Sequence, residues 1–358
     1  MPASVLVRRV VWGLLIVLLL IGLAACETIG YYGQAARGQL NILWSRERIT
    51  DLLADDSLPA GLRQKLQTVL ELRAFATRQL QLPAADSYLS YVELERQHVV
   101  WNVFAAPEFS VDPLSWCYPV AGCVSYRGYF DEADARRFAS RLEQQGYDVY
   151  TGGVDAYSTL GWFDDPLLST VIQRQDYQLA ALLFHELAHQ LLYIPGDTTF
   201  NESFATLVEQ EGLRRWLNSQ GDSESLARAR QETERRQQFV ELVIDYRDRF
   251  AALYELELDD ADKRLRKVDL QRQMRAAYQQ LKQSWGGSGA YDRWFSESLN
   301  NAQLSTVSSY NELVPALEKL LQEEEGDLQS FYARVEALAG LDPEARNQLL
   351  NSVGTASR

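Results

Sequence analysis

Apolar residues recur at steps of three and four through most of this chain, and that spacing predicts helices. "GQLNILWSRERITDLLAD" and "GLRQKLQTVLELRAFATRQL" follow it, with a break at Pro59 between them. From about Tyr88 to Gly161 the pattern changes. "QHVVWNVFAA", "CVSYRGYF" and "YDVYTGGVDAYSTLGWF" are rich in Val, Tyr, Phe and Trp with turn residues between them, which predicts strands. One helix, "DEADARRFASRLEQQG", interrupts them with an acidic start and a glycine stop. "DYQLAALLFHELAHQLLYI" then runs without a breaker to Pro195 and Gly196, and "TFNESFATLVEQEGLRRWL" predicts a second helix. Farther on, Phe239, Val243, Tyr246, Phe250 and Leu253 form one apolar stripe and Met274, Tyr278, Leu281 and Trp285 another, joined by the charged bend "ELDDADK". Two such stripes predict an antiparallel helical hairpin that serves as scaffold or, alternatively, gates a cleft. The expected fold class is α+β, predominantly helical, with a small mixed β segment and a C-terminal helical hairpin. The chain divides into residues 1–25, an N-terminal helical segment 26–87, a core 88–220 and a C-terminal helical region 221–358.

The first 25 residues form a separate unit. Arg8 and Arg9 precede an apolar run from Val10 to Leu23, and Ala24, Ala25 and Cys26 follow it. "LAAC" resembles the lipobox of bacterial lipoproteins, where a signal peptide is removed and the cysteine is acylated; an uncleaved signal anchor is the alternative. The resemblance implies lipidation at Cys26 and a place in the cell envelope, facing the periplasm. Glu27, where aspartate would favour the inner membrane, points to the outer one. Cys117 and Cys123, with five residues between them in an oxidising compartment, predict a local disulfide around a Pro/Gly turn, with two buried thiols as the alternative. Without the two arginines of the leader, 33 basic residues face 49 acidic ones, a formal charge of −16. Such a body repels phosphate backbones, which excludes nucleic acid as a partner, and membrane attachment must come from lipid rather than a basic patch.

"HELAHQ" (185–190) holds two of the three histidines of the chain. Positions four apart share one face of a helix, so His185 and His189 can present ring nitrogens to one ion, and Glu186 can lean toward its open position. Zinc held this way lowers the pKa of water and polarises a scissile carbonyl, while the glutamate takes the proton. A catalytic site needs a third protein ligand. His98 lies far upstream and reads as a partly buried residue of the mixed segment. "NESFATLVE" offers Glu202 and Glu209, but Thr199 to Glu202 also has capping-box spacing, under which Glu202 would satisfy a backbone amide instead. Spacing leaves both assignments open.

"HELAHQ" followed by "FNESFA" resembles the gluzincin pattern, in which a second helix supplies a glutamate in an NE-x-F-A context. Across "YYGQAARGQL", "DPLLST", "FHELAHQLLYIPGDTTFNESFA" and "NNAQLSTVSSYNELVPA" the chain resembles the zinc-dependent aminopeptidase family of proteobacteria. The resemblance implies a zincin-like metallopeptidase core and one zinc ion held by His185, His189 and Glu202. It further implies Glu186 as general base and Glu209 as an acid orienting a ligand histidine. The 12-residue connection from His189 to Glu202 is shorter than in the better-known aminopeptidases. Their exopeptidase motif, whose glutamate grips the substrate amine, has no clear counterpart here. "GGVDAYSTLGWF" is expected at the substrate-pairing edge strand, where Asp155 is a candidate to hold an amine, with an exposed strand carboxylate as the alternative. The oxyanion needs a donor; Tyr310 is the first candidate and Tyr157 the second. The implied activity is a zinc-dependent peptidase, an aminopeptidase acting on peptide or protein substrates. The alternatives are an envelope endopeptidase and a zinc-bound, inactive scaffold or adaptor lipoprotein.

Overall fold

Helices dominate the computed structural model, which describes residues 30–118, 122–156, 164–307 and 313–355. In chain order the elements are helix α1 (30–44), strand β1 (Glu47–Arg48), helices α2 (Ile49–Ala54) and α3 (Ala60–Gln79), and strands β2 (Ser90–Val92), β3 (Val100–Pro107), β4 (Trp116–Tyr118), β5 (Gly122–Val124) and β6 (Arg127–Tyr129). Helix α4 (Glu132–Gln144) and strands β7 (Tyr147–Val154) and β8 (Leu167–Leu168) follow. The remainder is helical: α5 (Ser169–Ile172), α6 (Asp176–Leu191), α7 (Thr198–Gln220), α8 (Ser223–Tyr254), α9 (Asp260–Ser284), α10 (Asp292–Ser296), α11 (Asn301–Leu304), α12 (Val314–Glu323), α13 (Leu328–Ala339) and α14 (Pro343–Thr355). No helix among the described residues is long and apolar enough to cross a membrane. The apolar run Val10–Leu23 and Cys26 lie outside them.

The helices that carry "HELAHQ" and "NESFA" sit in the largest apolar cluster. Leu183, Phe184 and Leu187 of α6 are fully buried, as is Phe200 of α7. They pack with Leu66 and Leu72 of α3, Leu317 of α12, Phe331 of α13 and Leu350 of α14. Each such side chain contributes about 1.5–3 kcal/mol by leaving water, so the polar residues between them stand on a rigid support.

The strands form two three-stranded sheets and a hairpin. The first sheet has the order β1-β2-β8, and β2 pairs parallel with β8. Stripe spacing predicts one helix over 38–55, yet the chain leaves the helix after residue 44 to place Glu47 opposite Tyr91 before α2 begins. A two-residue strand carries no period of its own, so pairing decides it. "DPLLST" supplies β8 and the residues that lock it: Ser169 Oγ donates to Leu94 O and accepts from Leu94 N.

The second sheet has the order β6-β3-β7, antiparallel throughout. Alternate residues Trp101, Val103 and Ala105 of β3 turn to one face and are covered by Ala135, Phe138 and Leu142 of α4. "CVSYRGYF" reads as one strand but is two, β5 and β6, and "YDVYTGGVDAYSTLGWF" is strand only as far as Val154, with 157–163 outside the described residues. β4 and β5 form a hairpin in which Cys117 and Cys123 are directly opposed and disulfide-bonded.

Helices α8 and α9 make the long hairpin. Its inner face is Phe239, Val243, Tyr246, Phe250 and Leu253 against Met274, Tyr278 and Trp285, closed by Phe295, Leu299 and Leu304 from the segment after it. Polar residues fasten the hairpin to the second sheet. Lys267 is buried, 7% exposed, and its Nζ lies 2.6 Å from Asp148 Oδ2. The Asn301 amide donates to Pro107 O and Glu108 O and accepts from the Tyr254 hydroxyl. The "NNAQ" stretch is therefore structural, because it satisfies buried strand-end carbonyls that would otherwise be left unpaired.

Candidate metal centre

Helix α6 is built to present its polar positions. Gln175 and Gln178 cap its start reciprocally, and no glycine or proline interrupts it before the Pro195–Gly196 turn, where Gly196 adopts φ +85°. Asp197 caps α7 by accepting from Phe200 N at 3.0 Å, which places Thr199 inside the helix. The capping-box alternative for Glu202 is thereby removed: the cap lies two residues earlier, and the Glu202 carboxylate is free to face α6.

Asn201 sets the relation between the two helices. It is 1% exposed and bonds back to both the N–H and the C=O of Ile194, each at 2.8 Å. Asn201→Ala is expected to cost about 2–4 kcal/mol, because two buried backbone groups lose their partner. Chemical denaturation reads this directly, and a loss below about 1 kcal/mol would mean that water substitutes for the amide.

The polar atoms of His185, His189 and Glu202 converge. His185 Nε2 and His189 Nε2 stand 3.2 Å apart, and Glu202 approaches them at 3.4 and 3.5 Å respectively. Among the described residues these three form the one group whose donor atoms cluster as metal ligands do. Tetrahedral ligands with bonds of about 2.0–2.1 Å stand about 3.3–3.4 Å from one another, so the spacing and the two-imidazole, one-carboxylate chemistry both fit a zinc-type ion.

Glu209 lies seven residues after Glu202, and its Oε2 is 3.0 Å from His185 Nδ1. That contact fixes which ring nitrogen of His185 points inward. The buried Nδ1 of His189 has no partner among the described residues. Glu209→Gln is expected to weaken metal binding about 10–100-fold while leaving the helices intact; competition with a chromogenic chelator measures it, and an unchanged affinity would reduce Glu209 to packing.

The electrostatics of the metal-free site are tightly coupled. Burial pushes the Glu186 carboxyl up to about 7; the charge on His185 opposes this, and Glu202, Asp165 and Glu209 add to it. Burial acts to lower His185, but the carboxylates of Glu202 and Glu209 outweigh it and bring the imidazole up to about 10. His189 goes the other way, down to about 4, through burial and the charge on His185. Glu202 lies below the usual carboxylate range because its contacts with the two histidines outweigh burial.

A cleft of about 710 Å³ borders this site on the His185 side, lined by His185, Glu186 and Glu209, though not by His189 or Glu202, and, across from them, by Glu232 and Arg236 of α8 with Tyr291 beyond. The hairpin thus forms a wall of the cleft. Glu232 accepts from the Tyr177 hydroxyl at 2.7 Å, which ties the wall to the first turn of α6. A larger groove of about 1410 Å³ between α3 and α5 shares Tyr177 with this cleft but is lined by none of His185, Glu186, Glu209, Glu232 and Arg236.

Other expected site residues fall elsewhere. Asp155 follows edge strand β7, and its carboxylate already meets His98 Nδ1 at 2.6 Å and Arg174 at 3.3 Å. Tyr157 and Tyr310 lie outside the described residues. Sequence reasoning missed Glu232, Arg236 and Tyr88. Tyr88 is 7% exposed with φ +60°, and burial, with Glu186 and Asp165 nearby, pushes its hydroxyl pKa well up. Nothing in the local pattern "ADSYL" signals that placement.

Two helices bearing a His-His-Glu cluster, an adjacent half-buried glutamate and an open cleft define a site suited to hydrolysis. The chain belongs to the family described as "putative aminopeptidase", which it matches over residues 30–350. No curated protein and no solved structure matches it.

Proposed function

We propose that this protein is a zinc-dependent peptidase of the gluzincin type, acting as an aminopeptidase. The observation that carries the reading is the convergence of His185, His189 and Glu202 to within 3.2–3.5 Å, with Glu186 beside the first of them. Zinc held by His185, His189 and Glu202 would supply Lewis acidity to the scissile carbonyl and to the attacking water. Glu186 takes the proton from that water and returns it to the leaving amine; its burial, which raises the carboxyl in the metal-free site, makes it a better proton acceptor than an exposed glutamate. Glu209 holds His185 in the ligating orientation. The free amino group of the substrate finds a carboxylate at Glu232 in the cleft wall, and the developing oxyanion is met by a tyrosine hydroxyl, with Tyr310, Tyr157 and Tyr88 as the candidates.

The sequence of residues 1–26 supports a place for this activity. The apolar run and "LAAC" favour an acylated Cys26 and a body facing the periplasm, probed by mass analysis of the mature amino end.

The deciding experiment incubates the purified full chain, in detergent, with a mixed peptide pool and reads products by mass spectrometry beside metal content. Stepwise loss of single residues from free amino ends supports the aminopeptidase. Internal cuts replace it with an envelope endopeptidase. Bound zinc with no cleavage of any peptide overturns the enzyme in favour of a scaffold or adaptor.

A further inference from the structure

Helix α1 is apolar on two faces, and the body of the protein uses only one. Tyr31, Gln34, Gly38 and Ile42 share the inner face. Tyr31 packs on Tyr118 and Tyr129, and Gln34 bonds Phe130 N and Gly128 O. Gly38 lies so close to the Phe130 ring that a Cβ would overlap it, and Ile42 is buried with Val92 and Leu168. Four residues apart along the opposite face stand Tyr32, Ala36, Leu40 and Trp44, all exposed, with Trp44 at 77%; Tyr32, at the border of the two faces, also meets the Tyr118 ring edge-on. Soluble helices normally turn charged residues outward; here the outward face carries one charge, Arg37.

Charge and chain order say what covers this face. From Thr28 to Arg46 there is no acidic residue, in a sequence that holds 49 Asp and Glu. Arg37 and Arg46 are the only charges in that stretch, and only Arg37 lies within α1, so the helix is an acid-free, weakly basic strip on a strongly acidic protein. The apolar run Val10–Leu23 ends seven positions before Gly30, and Cys26, the expected point of acylation, lies four before it, so either the run itself or a lipid on Cys26 brings the start of α1 to the bilayer. Tyrosine and tryptophan, each with an apolar ring and a polar tip, are the side chains that settle at the boundary between headgroups and acyl chains.

We propose that the outer face of α1, through Tyr32, Ala36, Leu40 and Trp44, lies in the headgroup–acyl boundary of a lipid bilayer, so that the folded body rests on the membrane. Helices of this kind bind through buried apolar area, assisted by attraction of arginine to anionic lipid. Because the inner face grips the sheet through Gly38 and Gln34, contact along α1 fixes the orientation of the whole body against the bilayer. The proposal stands independently of the peptidase reading.

The test uses the full chain reconstituted in phosphatidylethanolamine–phosphatidylglycerol vesicles, with and without lipid brominated on its acyl chains. Subtracting the tryptophan emission of Trp44→Phe from that of the wild type isolates Trp44, since the remaining tryptophans, Trp12 included, are common to both. Equal melting temperatures for the two proteins establish that the exposed ring is removed without disturbing the fold. The expected result is at least a twofold loss of the Trp44 signal in brominated lipid. An unquenched, red-shifted signal would overturn the proposal by placing Trp44 in water. A blue-shifted but unquenched signal would overturn it in favour of a protein cover. Cross-linking between molecules then identifies a second copy, and its absence the segment before Gly30.

Discussion

Glu186→Gln should lower the kcat/KM of peptide hydrolysis by about 10²–10⁴-fold while the chain keeps roughly one metal ion. Glutamine preserves the size of the side chain and removes only its ability to accept a proton. At about 1.4 kcal/mol per factor of ten, the loss corresponds to about 3–5 kcal/mol of transition-state stabilisation. Its separation from metal binding rests on position: the cluster of donor atoms contains His185, His189 and Glu202 but not Glu186. Activity and metal lost together would show that Glu186 supports the ligand set instead of the chemistry. Unchanged activity would remove it from the reaction altogether.

Metal affinity should rise with pH, by at least about tenfold per unit between pH 6.5 and 8.5, with one proton released from His185 per ion bound and a further fraction from Glu186 at the lower end of the range. In the metal-free protein the carboxylates of Glu202 and Glu209 bring His185 up to about 10 against the opposing effect of burial, so its ring is protonated across this range. An ion must displace that proton. His189, lowered to about 4, and Glu202, below its usual range, are already deprotonated and release none.

The sign for stability follows from the same shift. A histidine whose folded pKa is raised contributes stability that is complete below its unfolded value of about 6.5 and is lost as pH rises through the folded value near 10. The metal-free chain therefore weakens from pH 6.5 upward, whereas the loaded chain gains from tighter binding. The difference in melting temperature with and without chelator should widen at each step from pH 6.5 to 7.5 to 8.5. A constant difference would mean that His185 is neutral before metal arrives.

What the sequence determined by itself is the local part of this protein. His185 and His189 share a face because four residues make about one helical turn, whatever surrounds them. The stripe from Phe239 to Leu253 and its partner from Met274 to Trp285 specify the hairpin for the same reason, and the alternation of Trp101, Val103 and Ala105 specifies a strand with one covered face. Cys117 and Cys123 needed only a tight turn to meet. Tertiary structure decided everything that depends on which surfaces meet. Spacing allowed Glu202 to cap α7 or to face α6, and only the cap at Asp197 with the Asn201 tie to Ile194 separates the two. The stripes left the hairpin open as scaffold or cleft gate, and nothing in the sequence marks Glu232 and Arg236 as the residues that line the cleft, because a charged residue on a helix looks the same facing solvent or a site. Tyr88 and the outward face of α1 were hidden for the complementary reason: an aromatic residue reads as core until the packing shows which side of the element the core occupies. Period and spacing act through neighbours along the chain, while burial and charge coupling act between segments that only the fold brings together.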